Sequence, residues 1–349
     1  MSWLVLFLAH PASAADVTDM APGLGALGTL RYAGSSLDGH LVESGEVVAG
    51  RKVQRHDLDL GLEFAPAPGV ALTLDLALTP SLTFTYADSR TMIVEPEDGS
   101  GSYLAGEAVA APVEIRAGGL TGFWVGAAFA PFSETYAKGQ QSSWRIDAAL
   151  RPPSASRNLW TTVDAKRGTA PGGLGMRVGG AFSVDRGVGN PWVQAVYQSE
   201  GRVAVDVVDE NGNQWATELA VKPASTLLTR FGVAIEGWED PDLGAAFAVD
   251  LYLGGQYQTW QDVASGVYLP NVLEGGRSIP VTSGDSLAGI AGIALDAAVN
   301  EYVQIRAGSE FTYRTPYTLE HVYDVQTSAD TWQIGWFFQV QGMGSFKRD

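Results

Sequence analysis

The chain has no cysteine. That excludes a disulfide-stapled scaffold, Cys-ligated zinc, an iron–sulfur cluster and a thiol nucleophile. Basic residues are scarce: 22 Lys and Arg stand against 39 Asp and Glu, for a formal net charge of −17. Nucleic acid needs a basic footprint, so the balance argues against such a partner. Charge of either sign is sparse at 17% of residues, below the roughly 25% usual in soluble domains. Long apolar runs are missing as well. A membrane-crossing helix takes about 20 apolar residues, and nothing in the chain approaches that length. There is no GxSxG elbow, no HExxH and no GxxxxGK[ST] phosphate loop.

What is present is apolar, aromatic and glycine-rich. Hydrophobic residues make up 46%, aromatics 10% with 10 Trp, and there are 42 Gly in 349 residues. A disordered chain lacks such content. At the N-terminus, the short apolar run Trp3 to Ala9 precedes Pro11 and the small-x-small sequence Ala12-Ser13-Ala14. This reads as a signal peptide over residues 1–14, cleaved before Ala15 or Asp16. The exported domain is then 15–349, with no composition break inside it.

That domain alternates with period two almost throughout. In the last segment Trp332, Ile334, Trp336, Phe338 and Val340 share one parity, while Thr331, Gln333, Gln339 and Gln341 hold the other. Leu58, Leu60, Leu62 and Phe64 oppose Asp57, Asp59 and Glu63; Leu72, Leu74, Leu76 and Leu78 oppose Thr73 and Asp75. A helix, with period 3.6, cannot put these apolar groups on one side.

The connections also alternate. Short turns are read at Ala65–Gly69, Ala117–Gly119, Pro152–Arg157, Gly187–Asn190, Glu239–Asp242 and Asn300–Glu301. Longer connections are read at Asp38–Gly50, Asp88–Gly101, Lys138–Gln141, Gly168–Gly173, Asp209–Asn213, Asp262–Asp285 and Leu319–Ala329. The expected fold is all-β: one antiparallel up-and-down transmembrane barrel of about 14 strands, with 12–16 admissible. The flanks of Asp209–Asn213 read as a hairpin standing beyond the main sheet.

Alternation alone also suits a soluble sandwich. Two features favour lipid outside. Full charges occupy strand centres on the polar face, at Asp59, Asp75, Arg145, Asp147, Arg177, Arg230, Asp250 and Arg306, and Asp296 and Glu310 are further candidates for that face. Aromatics gather near strand ends, with Trp192, Trp238, Tyr302 and Phe346 at the short-turn end and Tyr86, Tyr136, Trp260 and Trp332 at the other. Amphipathic rings favour membrane interfaces.

Export signal, absent cysteine, acidic balance, alternating strands and an aromatic last strand together resemble Gram-negative outer-membrane β-barrel proteins. The likeness is a class-level pattern over nearly the whole mature chain. It implies the bacterial outer membrane, with its lipid and lipopolysaccharide as surroundings. In that class the last strand is read by the barrel-assembly machinery, and Trp336, Phe338 and Phe346 would carry that signal here. The segment Gly122–Phe132, GFWVGAAFAPF, is also similar to one in the outer-membrane long-chain fatty-acid transporter family. That likeness implies a hydrophobic cargo, although the family's N-terminal plug finds little room before a first strand at Leu27–Ser36.

Catalytic, metal-binding and cofactor-binding constellations are not expected. His40 and His321 fall in long connections, and His56 shares the lipid-side parity of Leu58. The charged inner face leaves two states open. Either water fills the lumen, and the excess of acids favours cations, or the charges pair into a filled interior. The expected function is a porin-like channel for small solutes; a hydrophobic-ligand transporter and a structural or adhesive surface barrel are the alternatives.

Overall fold

The computed structural model describes residues 20–21, 23–96, 103–132, 142–153, 158–160, 173–186, 189–208, 214–240, 243–263, 272–274, 277–278, 281–300, 302–320 and 325–345. Regular structure among them is entirely β. Twelve strands form a ring: β1 (Gly25–Glu43), β2 (Glu46–Ala67), β3 (Val70–Pro96), β4 (Tyr103–Phe129), β5 (Ser142–Arg151), β6 (Gly175–Val184), β7 (Gly189–Glu200), β8 (Thr226–Asp240), β9 (Ala245–Gln258), β10 (Ser286–Asn300), β11 (Val303–Arg314) and β12 (Thr331–Ser345). Each pairs antiparallel with its neighbour in this order. The ring closes where β12 pairs with β1, from Gly25↔Ser345 to Asp38↔Trp332. Closure leaves the ring no open edge.

Period two decides which side each residue takes. Along β12, Trp332, Ile334, Trp336 and Phe338 are exposed outside, while Thr331, Gln333, Phe337 and Gln339 are buried inside. Leu62, Leu72, Leu150, Phe231, Leu253 and Leu287 continue the outer apolar band around the ring.

Twelve is the lower bound of the sequence-based range. Two readings raised the count. Ala117–Gly119 is no turn but an irregularity within β4, which continues past it while the register against β3 shifts. Gly118 packs so closely there that an added Cβ would lie 3.1 Å from the Pro80 carbonyl oxygen. Pro152–Arg157 and Gly168–Gly173 fall within one connection at the long-connection end, between β5 and β6. Lys138–Gln141 changes ends, because β4 descends to the short-turn end before β5 rises. Asp38–Gly50 is strand except for a tight turn at Ser44-Gly45, where both residues have positive φ (51° and 88°), the geometry that matches hairpin twist.

The first four strands run 19, 22, 27 and 27 residues, against 10–15 in the others. They stand above the ring as a wall. Short segments extend it: Val325–Ser328 pairs with Leu41 and Val42, Tyr317–Glu320 pairs with Val325–Ser328, and Val281–Ser283 joins Tyr317–Glu320. The expected outlying hairpin is Val203–Val208 with Gln214–Val221, joined by Asn158–Trp160.

Large inner rings are accommodated by glycine on the neighbouring strand. Trp192 faces Gly232, Tyr252 faces Gly292 and Phe337 faces Gly308 in register. An added Cβ on these glycines would come within 2.8, 2.1 and 2.7 Å of the respective rings. Trp192 therefore departs from its expected place at the membrane rim. It points inward, 3% exposed, because it shares parity with Gln194 and Gln198. Trp238, Tyr302, Trp260 and Trp332 do face outward near strand ends; Tyr136 and Phe346 lie outside the described residues. At the short-turn end, Met20 and Ala21 pack among Ala65, Ala71, Ala128 and Ala130, so a first strand beginning at Gly25 follows directly on a seated N-terminal segment.

Candidate functional site

The barrel interior holds most of the buried charge, and it divides into two halves. One half is dry. It is built by β1 and β8 to β11, and its charged side chains are at most 5% exposed. Arg230 Nη2 meets Glu310 Oε2 at 2.7 Å, and Tyr252 Oη donates to the same oxygen at 3.2 Å. Arg306 Nη2 donates to Asp250 Oδ2 at 2.5 Å, and its Nε lies 3.4 Å from Asp296 Oδ1. Trp192 Nε1 donates to Asp250 Oδ1 at 2.9 Å. Arg31 sits over the Phe337 ring at 4.8 Å and reaches Asp59 at 3.9 Å. Arg230 and Arg306 thus answer three carboxylates, Asp250, Asp296 and Glu310, while Arg31 is answered by Asp59. Such pairing is required, because an unpaired charge away from water costs several kcal/mol.

A water-sized cavity lies among Ser35, Glu310, Thr312, Gln333 and Gly335, at the seam where β12 meets β1. Glu310 Oε1, beside it, has no hydrogen-bond partner among the described residues. The lining also includes Trp336 and Phe337, so the cavity is mostly apolar and Glu310 supplies its polar contact.

The other half is wet. It is built by β2, β3, β5 and β6. Side-chain exposure there is 21% for Asp59, 24% for Asp75, 25% for Arg177, 15% for Arg145 and 36% for Asp147. Arg145 bridges Glu63 and Asp147, at 2.8 Å each. Glu63 also accepts the Ala21 backbone N–H at 2.7 Å. Arg177 pairs with Asp75 across the interior and lies over the Trp124 ring at 5.1 Å. The wet half has four acids, Asp59, Glu63, Asp75 and Asp147, with Arg145 and Arg177 beside them and Arg31 reaching Asp59 from the dry half.

Toward the long-connection end the polar network continues. Arg55 Nε holds Asp57 Oδ2 at 2.6 Å, and Thr79 donates to Asp57 at 2.7 Å. Arg151 meets Glu200 at 3.0 Å. Arg314 Nη1 donates to Ser286 Oγ at 2.6 Å. Above the ring, Arg51 Nη1 donates to Tyr317 Oη at 2.9 Å. Burial raises the Tyr317 phenol, but the Arg51 cation and its hydrogen bond outweigh it and hold the group below the ordinary tyrosine value.

The ten charged residues singled out from sequence parity fall in these ion pairs, five in each half. Sequence reasoning missed Arg31, Arg151 and the inner rings of Trp124 and Trp192, whereas the parity of Tyr252 with Asp250 did place it inside. Arg31 alternates with Ala33 in the weakest-patterned strand. Trp124 lies in a Gly-rich stretch where parity is hard to read. Trp336 and Phe338 face outward on β12; Phe346, residues 1–14 and His321 lie outside the described residues. His56 is half-buried on the outer face, where it hydrogen-bonds Tyr32 Oη through Nδ1 at 3.0 Å and meets the Trp336 ring edge-on.

A closed antiparallel ring, apolar outside and charged inside, is the architecture of a transmembrane β-barrel. No family model matches the chain, and no curated protein matches it. Among solved structures it is similar to an outer-membrane channel from Pseudomonas putida F1 (10% identity, 94% of this chain and 98% of that one, TM-score 0.49). It is also similar to a Pseudomonas aeruginosa FadL homologue (10% identity, 96% and 93%, TM-score 0.45). A third is the beta domain of the Bordetella autotransporter BrkA (11% identity, 88% and 98%, TM-score 0.36).

Proposed function

We propose that this barrel is a narrow channel for small polar solutes that favours cations, with its path along the wet half. The carrying observation is the exposure of Asp59, Asp75, Arg145, Asp147 and Arg177 to water inside the barrel, beside a dry half whose charges are sealed. Eight strands leave an interior that side chains fill, and 16–18 leave a wide aqueous channel. Twelve strands, half filled by the dry network, leave an eccentric passage. Along it, four carboxylates stand with Arg145, Arg177 and the Arg31 that reaches Asp59; they replace part of the hydration of a passing cation and outnumber the guanidinium groups by one. No catalysis is part of this reading.

A hydrophobic cargo would need an open apolar surface inside. The inner apolar side chains of the wall, Leu37, Leu41, Val53, Leu82 and Leu319, are packed and at most 6% exposed. That favours the polar path.

The test is single-channel recording in planar bilayers under a KCl gradient, with protein whose folding is checked by the mobility change on boiling in SDS. Small stepwise conductance with a cation-selective reversal potential is expected. A folded barrel that stays silent, or one that passes anions preferentially, overturns the reading.

A further inference from the structure

Two pairs cross the wet half as crossbars over two intervening strands, Arg145–Glu63 and Arg177–Asp75, and the second is the more exposed to water. Arg177 belongs to β6 and Asp75 to β3, and two strands, β4 and β5, lie between them in the ring. The guanidinium therefore reaches over the inner surface rather than along its own strand to meet the carboxylate. Trp124, the register partner of Asp75 on β4, lies beneath it and is itself 3% exposed.

That ring is a fixed shelf. Arg151 also packs against it, at 5.3 Å, and Arg151 is locked by Glu200. Gly122 and Gly175 make room for the ring: an added Cβ on either would lie 2.9 Å from it. The shelf is rigid and buried while the crossbar on it is wet. A water-exposed ion pair is worth little, typically under about 1 kcal/mol, so a passing ion can compete for either partner.

We infer that the Arg177–Asp75 pair is the selectivity-determining constriction of the passage; this rests on the channel reading above. Arg177 sets a positive charge into an acid-lined path where the pair spans it, and Asp75 holds that charge in place. Without Arg177, Asp75 loses its counter-charge, while Asp59 keeps Arg31 and Glu63 and Asp147 keep Arg145. Without Asp75, the guanidinium stands in the path with no carboxylate across from it. The aromatic shelf keeps the arginine at the same level in both cases.

Four variants test this by reversal potential and unit conductance, each checked for folding by SDS mobility. Arg177→Gln is expected to raise the cation-to-anion permeability ratio several-fold and to enlarge the conductance. Asp75→Asn, nearly isosteric, is expected to lower the ratio several-fold. The double change Arg177→Gln with Asp75→Asn should return near the parent ratio, because the charges cancel. Arg177→Lys should stay near the parent ratio, because the charge remains. If the parent conducts and the folded single variants keep its ratio and conductance, the crossbar assignment falls while the channel stands. If the folded parent is silent, the channel reading falls and takes the assignment with it. Should Arg177→Gln not fold, Asp75→Asn decides alone.

Discussion

Tyr252 on β9 lies directly opposite Gly292 on β10, and the phenol ring occupies the space where a side chain on residue 292 would sit. The ring thereby reaches inward, and its hydroxyl meets Glu310. The glycine is thus a packing requirement of the dry half. Gly292→Ala should displace the ring and cost about 1–3 kcal/mol, the usual cost of overpacking. The temperature at which the folded form disappears on SDS gels should fall by several degrees. Gly289→Ala, three residues away with open space around it, is the matched control and should leave that temperature unchanged.

Leu253 faces outward, 52% exposed, between Phe231 and Ala291 on the neighbouring strands. Leu253→Arg places a cation on the lipid side and should cost about 2–4 kcal/mol near the bilayer midplane. Equilibrium unfolding in urea from lipid vesicles reads this directly. A cost near zero would place this face away from hydrocarbon.

Arg230 and Glu310 are both almost without contact to water. Removing one partner strands the other, so Arg230→Met should cost about 3–5 kcal/mol. The paired change Arg230→Met with Glu310→Leu removes both charges and should recover much of that loss. The same two-step replacement of Arg177 and Asp75 in the wet half should show a weaker effect, since water already screens those groups. Urea titrations of the two sets side by side distinguish the halves.

Tyr317 stands above the ring and accepts a hydrogen bond from Arg51. Hydrogen bonds to charged groups contribute about 1.5–3 kcal/mol. Tyr317→Phe should therefore loosen the wall of β1 to β4 without affecting the ring. Faster proteolytic clipping of the wall, with unchanged heat-modifiability of the barrel, is the expected outcome.

Much of the architecture was legible along the chain because a strand repeats every two residues. Trp332 to Gln339 states its own inside and outside, and so do Leu58 to Phe64. The strand number was less legible. The Gly-rich stretch at Ala117–Gly119 carries the residues of a turn, yet β3 holds β4 in register on both sides of it and the chain runs on. Trp192 has the residue type of a membrane-rim aromatic, but Gly232 opposite gives it a place inside. A turn or rim residue is defined by its neighbours across the sheet, and those are distant in sequence.

By itself the sequence determined a cysteine-free, acidic, alternating chain with an apolar face and a charged face. Those properties follow from composition and from a period that any extended chain obeys. Which charges meet was decided by the tertiary structure alone. Arg177 and Asp75 are 102 positions apart, and Arg230 and Glu310 are 80 apart. Parity assigns each to a face, but closure and stagger of the ring set its height and the residue across from it. The same closure split the interior into a dry half and a wetter half, because water reaches only where the packed rings and paired arginines leave space.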